Sequence, residues 1–526
     1  MKRMPRQSWV AAAFLAFSAF AAAPAEAADL TIGLTVSPTS MDPHFHYVGQ
    51  NMGPLSHVFD ALLAQQPDLG IAPALATSWK PLDDTTWEFN LRKGVKFQDG
   101  SDFTADDVIF TLKRVPLVPN SPSSLAIYTK GIASITAPDP YRILIKTSTP
   151  DPEFAIGLSQ IFILSHTAAS GPAPEGKTTQ QLNAGDGLVG TGPYRFVSFV
   201  PNDRMVVMRN PGYWGKPQPW ITVTMRVIGS DASRAAAMLA GDLDATELPG
   251  ESLASIKANP KLQITIGDTA QITYLALDQH EPSPGVSDTG GRNPLRDARV
   301  RKALSLAINR QAIAERVMFG LAEPAAELGP TTMFGVNPDA KADPYDPDQA
   351  KKLLTEAGYP NGFGLKFNSP NGVFPSDLQL AQAIAAMWTR VGVRTTLEGV
   401  PGSVFYSRRN KLEYSSYATN MSVFNGQLSY SLRILSMTRD MDKGNGQINL
   451  SGYSNPAVDS LLTQALRTIN DDDRRKLVQQ VSGIVMGEHQ VLPIIRLRNA
   501  YVTRHGITIV PRLDLFLTAM QITATP

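Results

Sequence analysis

Residues 83–110 read DDTTWEFNLRKGVKFQDGSDFTADDVIF, with seven carboxylates among them: Asp83, Asp84, Glu88, Asp99, Asp102, Asp106 and Asp107. The question is whether these acids do chemistry or build a scaffold. Trp87, Phe89 and Leu91 alternate with Glu88, Asn90 and Arg92, the period of a strand with one buried face. Lys93-Gly94 signals a turn, Val95 and Phe97 resume the alternation, and Asp99-Gly100 ends it. A helix then begins with Thr104 as N-cap and Asp107 as the acidic partner of a capping box. Phe103 and Val108 are placed to form a hydrophobic staple across that start. Asp106 and Asp107 also face the positive helix end, worth roughly 0.3–1 kcal/mol each. The stretch therefore reads as strand, turn, strand, helix. Its acids have structural work, with Asp83, Asp84 and Asp99 in turns and Glu88 on a solvated strand face.

The same alternation of strand and helix signals continues outward, which makes the class α/β. Strands are expected over Tyr141–Thr147, Met205–Met208 and Leu412–Tyr417. Val300, Ala303, Leu304, Ala307 and Ile308 fall on one helical face. Asp346 caps a helix with Pro347 at its first position and Gly358 beyond its end. Asn455-Pro456 opens another, and Asp471 to Asp473 precede one more. The Gly-rich run Ser283–Asn293 reads as an exposed loop. No internal repeat or low-complexity segment is present.

The N-terminus reads as an export leader. Lys2, Arg3 and Arg6 precede an apolar run from Trp9 to Ala23, shorter than the roughly 20 residues of a membrane span. Ala25-Glu26-Ala27 fits the small-x-small cleavage rule, so the mature chain is expected to start at Ala28. Its length, roughly 500 residues, is too great for one core, so two or three domains are expected. The sequence has 48 basic and 47 acidic side chains, and this balance gives no global electrostatic reason to bind nucleic acid or an anionic membrane. It has no cysteine, which excludes disulfides, Cys-ligated metals and a lipid anchor on a cleavage-site cysteine. Export without an anchor points to the periplasm.

Ala76-Thr77-Ser78-Trp79, Thr86-Trp87-Glu88-Phe89, Leu91 to Phe97, Asp99-Gly100 and Phe103 to Val108 together resemble the signature of family 5 solute-binding proteins. These are the extracytoplasmic receptors of peptide, nickel and related ABC importers. Further blocks are similar to the same family: Gly190-Thr191-Gly192-Pro193-Tyr194 with Asn210 to Gly215, Val300 to Arg310, and Asp346 to Gly362. The resemblance covers essentially the whole mature chain. It implies a type II periplasmic-binding-protein fold, in which two lobes close on a ligand, with an extra third domain. Residues 1–27 would be the signal peptide; 28–58, 190–269 and 494–526 would form lobe I, 59–189 the extra domain, and 270–493 lobe II. The chain would cross the hinge near Ala270 and near Pro493.

Two motifs invite other readings. Gly171-Pro172-Ala173-Pro174-Glu175-Gly176-Lys177-Thr178 satisfies the P-loop pattern. A P-loop cradles phosphate with backbone N–H groups, however, and Pro172 and Pro174 have none. His44-x-His46 would put two imidazoles on one strand face, but two imidazoles alone make a weak metal site. No H-E-x-x-H or G-x-S-x-G is present, so no hydrolase constellation is visible. No catalytic residue, metal or cofactor is expected.

In resembling proteins the pocket is built from three places. The first is the loop after the N-terminal strand, where Asp42-Pro43 reads as a turn and His46, Tyr47 and Asn51 are the ligand candidates. The second lies near Tyr128 of the extra domain. The third is the segment Thr419 to Gln427, with Met421, Phe424, Asn425 and Gln427, followed by Arg433. Peptide-binding relatives often carry a Trp followed three residues later by an Asp there, which takes the peptide ammonium. Here Met421 and Phe424 fall near those positions, and no acid occurs between Glu413 and Asp440. Met421 and Phe424 suggest an apolar wall, Asn425 and Gln427 neutral hydrogen bonding, and Arg433 a receptor for carboxylate or phosphate.

The expected function is the periplasmic substrate-binding component of an ABC importer, a monomer without enzymatic activity. It would capture a peptide or peptide-like solute and deliver it to the inner-membrane permease and its ATPase subunits. Alternative cargoes are a metal chelate and an opine-like or sugar-phosphate conjugate. A secreted hydrolase would need a perturbed acid or nucleophile pair in the cleft. A chaperone or sensor would bind extended chain without lobe closure.

Overall fold

The computed structural model describes residues 29–525, and the expected leader lies outside them. Two long strands, Leu262–Leu277 and Val491–Arg504, form the spine of the protein. They pair antiparallel from Leu262 opposite Arg504 to Ala276 opposite Val491, and the register shifts between Asp268 and Ile272. On one side of that break, Val491–Arg504 pairs with Ala245–Leu248, and the sheet continues through Leu30–Leu34, Thr222–Val227, Arg204–Arg209 and Tyr194–Val200. On the other side, Leu262–Leu277 pairs with Ser416–Ser422, which leads to Phe363–Asn371 and Val393–Pro401. Each half has its own apolar core. Leu30, Ile32, Val207 and Val223 belong to the first, and Val300, Leu304, Phe367 and Trp388 to the second.

A separate four-stranded antiparallel sheet joins Ala76–Pro81, Thr86–Leu91, Arg142–Thr147 and Ile132–Asp139. Trp87, Phe89 and Leu91 are buried while Thr86, Glu88 and Asn90 are less so, the period-two pattern of the opening stretch. Helix Ala105–Arg114 starts with the Thr104–Asp107 capping box, in which the Thr104 amide donates to the Asp107 carboxylate at 2.9 Å. Asp107 also accepts the His166 amide at 2.8 Å, so it joins two elements. Phe103 and Val108 are fully buried in the core of this sheet. Full burial of a side chain of that size contributes about 1.5–3 kcal/mol.

Several sequence readings shift in place. The strand expected over Leu412–Tyr417 runs Ser416–Ser422, because its small and apolar side chains pair along Gln271–Leu277. Met421 therefore lies in the sheet, opposite Ile272, and not in a loop. Asp471 to Asp473 form the first turn of helix Asp471–Gly487, and Asn470 caps it. Helix Pro347–Glu356 has Asp346 as its cap, accepting the Gln349 amide at 2.9 Å.

The Gly190-Thr191-Gly192 block has a packing cause. A Cβ at Gly190 would lie 2.0 Å from the Val58 carbonyl oxygen, and one at Gly192 would lie 2.5 Å from the Val58 carbonyl carbon. Only glycine lets these two backbone segments touch.

Candidate functional site

A cavity of about 350 Å³ opens where the two halves of the large sheet meet. One wall comes from Gly33–Val36, from Gly49, Gly53 and Pro54 of helix Gly49–Leu55, and from Glu247, Asn499 and Asp514–Leu517. The facing wall is Gln271, Pro375 and Phe424. Gln271 stands at the register break of the spine, so the cavity sits at the junction itself. A recess of about 190 Å³ adjoins it and shares Thr35, Glu247, Pro375 and Asn499. A third cavity, about 420 Å³, lies on the other side of Phe516, between Asp60, Gln160 and Arg512.

The facing wall is uncharged. The near wall carries two acids in different surroundings. Asp514 is fully buried, and the Arg512 Nε reaches both of its oxygens at 3.0 Å, while its Oδ1 accepts the Phe516 amide at 3.0 Å. Glu247 lies across the ladder from Tyr501, and burial pushes its carboxyl up to about 7, with Arg234 partly opposing the shift.

The sequence candidates separate into three groups. Tyr47 and Tyr128 come together, with ring centroids 5.6 Å apart in an edge-on arrangement and their hydroxyls 3.2 Å apart. Tyr47 donates on to Gln160 at 2.9 Å, and burial pushes its phenol up to about 12. Phe424 is the candidate that lines the central cavity. The others are engaged with the protein. Asn51 is fully buried and uses its whole amide on Thr39 and the His46 carbonyl, so it shapes the loop rather than facing the cleft. His46 bonds Thr39 through Nδ1 at 2.9 Å. Met421 is buried in a core, and Asn425 accepts the Gln427 amide at 3.2 Å. Gln427 is buried and accepts from Arg474 at 3.0 Å, and Arg433 donates to Asn445 at 3.0 Å and to the Lys443 carbonyl at 2.6 Å.

The Asp42-Pro43 turn does more than turn the chain. Asp42 and Arg114 form a bidentate pair at 2.9 and 2.8 Å with neither side chain exposed, and Thr179 adds a third bond at 2.7 Å. His44 is not on a strand face; it points inward, to Arg114 at 2.9 Å and the Phe162 carbonyl at 2.8 Å. The two histidines therefore diverge. Among the described residues, no cluster of three or more His, Asp or Glu is placed to hold a metal ion. Lys177 of the P-loop-like run pairs with Asp186 at 2.7 Å, so it is not aimed at a phosphate cradle.

A polar contact ties the start of helix Phe154–Leu158 to helices Leu428–Ser436 and Asp471–Gly487. Glu153 accepts from Ser429 and lies 3.6 Å from Arg474. Asp151 beside it is pushed up to about 6 by burial and by the Glu153 charge.

Residues 70–442, more than half of the chain, match the model of the bacterial extracellular solute-binding proteins, family 5 Middle. The chain belongs to that family. Family 5 proteins are solute-binding components of ABC importers. Heme-binding protein A of Haemophilus influenzae is 29% identical over 451 residues, covering 81% of this chain and 78% of that protein. The glutathione-binding protein GsiB of Salmonella choleraesuis is 27% identical over 504 residues, covering 94% of each. The solved periplasmic binding protein DppA of Helicobacter pylori, in complex with the peptide STSA, superimposes with a TM-score of 0.72 at 22% identity. It covers 94% of this chain and 98% of that one. That likeness gives the family 5 protein its two-lobed type II fold.

The residues that the sequence reading missed are Gln271, Glu247, Asn499 and the Asp514–Leu517 segment. Glu247 had a local signal: an acid within Ala245–Leu248, a strand otherwise of small and apolar residues. The others become neighbours only through the pairing of distant strands.

Proposed function

We propose that this family 5 protein captures a peptide or peptide-like small solute in the cavity between its two lobes and delivers it to an ABC permease. The observation that supports it is the cavity with walls from both halves of the sheet, beside the register break of the two long strands. A solute touching Phe424 and Gln271 on one wall and Glu247 and Asn499 on the other favours the state in which those walls approach. Binding then shifts the population toward closure. No chemistry on the solute is required; transport needs only that the closed, loaded form differs in shape from the open one. In this reading the leader is cleaved, the mature chain works as a periplasmic monomer, and the permease with its ATPase subunits is its partner. The lobes would follow the boundaries expected from the sequence, with Tyr47, Tyr128 and Phe424 as rim and wall contacts. A cavity of this size suits a small solute, since ligand sites usually span about 300–1,000 Å³.

Native mass spectrometry of the mature protein, purified gently from its own periplasm, tests the cargo. A bound mass that fragments into amino acids supports the peptide class. A bound non-peptide mass sinks that class and leaves the receptor reading standing. Recovery of cleaved products from added peptides would overturn the receptor reading.

A further inference from the structure

We propose that Glu247 is the cleft's acceptor for a cationic group of the solute, an ammonium or guanidinium. The inference rests on the reading that the central cavity holds the cargo. Glu247 lines both that cavity and the adjoining recess, so the residue stands where they join. Its natural partner is spent elsewhere. Arg234 donates to the carbonyls of Ile228 at 2.8 Å, Gly229 at 3.3 Å and Glu247 itself at 3.3 Å, and pairs its remaining nitrogen with Asp231. Among the described residues, no hydrogen bond or ion pair reaches the Glu247 carboxylate. Asp514, the other acid of this wall, is by contrast neutralised by Arg512.

A second observation points the same way. Across the ladder from Glu247, the buried Tyr501 hydroxyl lies within the fields of Glu247 and Asp514, beside the Asn499 side chain of the cavity wall. The facing wall of Gln271, Pro375 and Phe424 holds no charge. The unpaired carboxylate is thus the charged recognition element of the cavity, and a cation brought against it gains a charge-assisted hydrogen bond. Burial raises the empty carboxyl to about 7, and a bound ammonium would favour its charged form.

The test uses the mature protein and the isosteric variant E247Q. Each is incubated separately with a mixed di- and tripeptide library, with the same library N-acetylated, and with putrescine. Capture is read by native mass spectrometry, and circular dichroism melting checks the fold. E247D serves as a second variant that keeps the charge. Wild type should hold free-amine peptides roughly tenfold or more over their acetylated forms. E247Q should lose that preference and E247D should retain part of it. Retention of the preference in E247Q, or equal capture of acetylated peptides by wild type, overturns the inference while the peptide reading stands. If wild type ignores both libraries but holds putrescine, and E247Q does not, the peptide reading falls and the inference stands. Failure of all three probes on wild type overturns both.

Discussion

Lowering the pH from 7 to 5 should pull on buried histidines and on Glu247 in opposite directions. His57 is held neutral by backbone on both sides. Its Nε2 accepts the Ala519 amide at 3.0 Å and its Nδ1 donates to the Pro54 carbonyl at 3.0 Å. A second proton would set donor against donor, and burial depresses the ring from 6.5 to about 4. Burial, with the Arg114 charge, does the same to His44. A group depressed in the fold binds fewer protons folded than unfolded. Each histidine therefore contributes its full stability above pH 6.5 and loses it as the pH falls toward 4. Between pH 7 and 5 the loss is about 2 kcal/mol per histidine. Glu247 has the reverse sign. Burial raises it from 4.5 to about 7, so it opposes folding above pH 7, and the penalty fades as the pH falls toward 4.5. Its relief over the same interval is about 2 kcal/mol. Urea unfolding of wild type, H57Q and E247Q at the two pH values separates these terms. From pH 7 to 5, H57Q should fare better than wild type by about 2 kcal/mol and E247Q worse by a similar amount. An H57Q profile parallel to wild type within about 0.5 kcal/mol would refute the assignment of His57 as buried and neutral.

R114M leaves the Asp42 carboxylate buried without its cation, and should cost about 3–5 kcal/mol in urea unfolding; a loss below about 1 kcal/mol would show the pair to be dispensable. G190A forces a Cβ against the Val58 carbonyl and should lower stability by roughly 1–3 kcal/mol, read as a drop in melting temperature. F424A removes apolar wall from the cavity, and should weaken cargo capture roughly tenfold in native mass spectrometry with little change in melting, because Phe424 is only partly buried.

What was legible in the sequence was local. The opening stretch could be read because each signal acts within a few residues: alternation along Trp87–Leu91, the Thr104–Asp107 box, the Phe103–Val108 staple. Its acids are structural, and Asp107 ties two elements together. The class and two-lobed fold followed from the blocks that resemble the family. The cavity was harder, because its walls are assembled by pairing at long range. Glu247 meets Asn499 only where Ala245–Leu248 pairs with Val491–Arg504. Asn51 and Gln427 illustrate the converse: polar side chains in candidate loops whose partners, Thr39 and Arg474, already use them. No local pattern distinguishes an amide that serves a loop from one that serves a ligand.

A solute should close the two lobes upon each other. Small-angle X-ray scattering on the mature protein reads that closure. The co-purified solute would be stripped by partial unfolding, the protein refolded, and the solute added back. Closure should lower the radius of gyration, with the fall saturating at one solute per chain. Scattering that stays unchanged while the solute is shown to bind would contradict it.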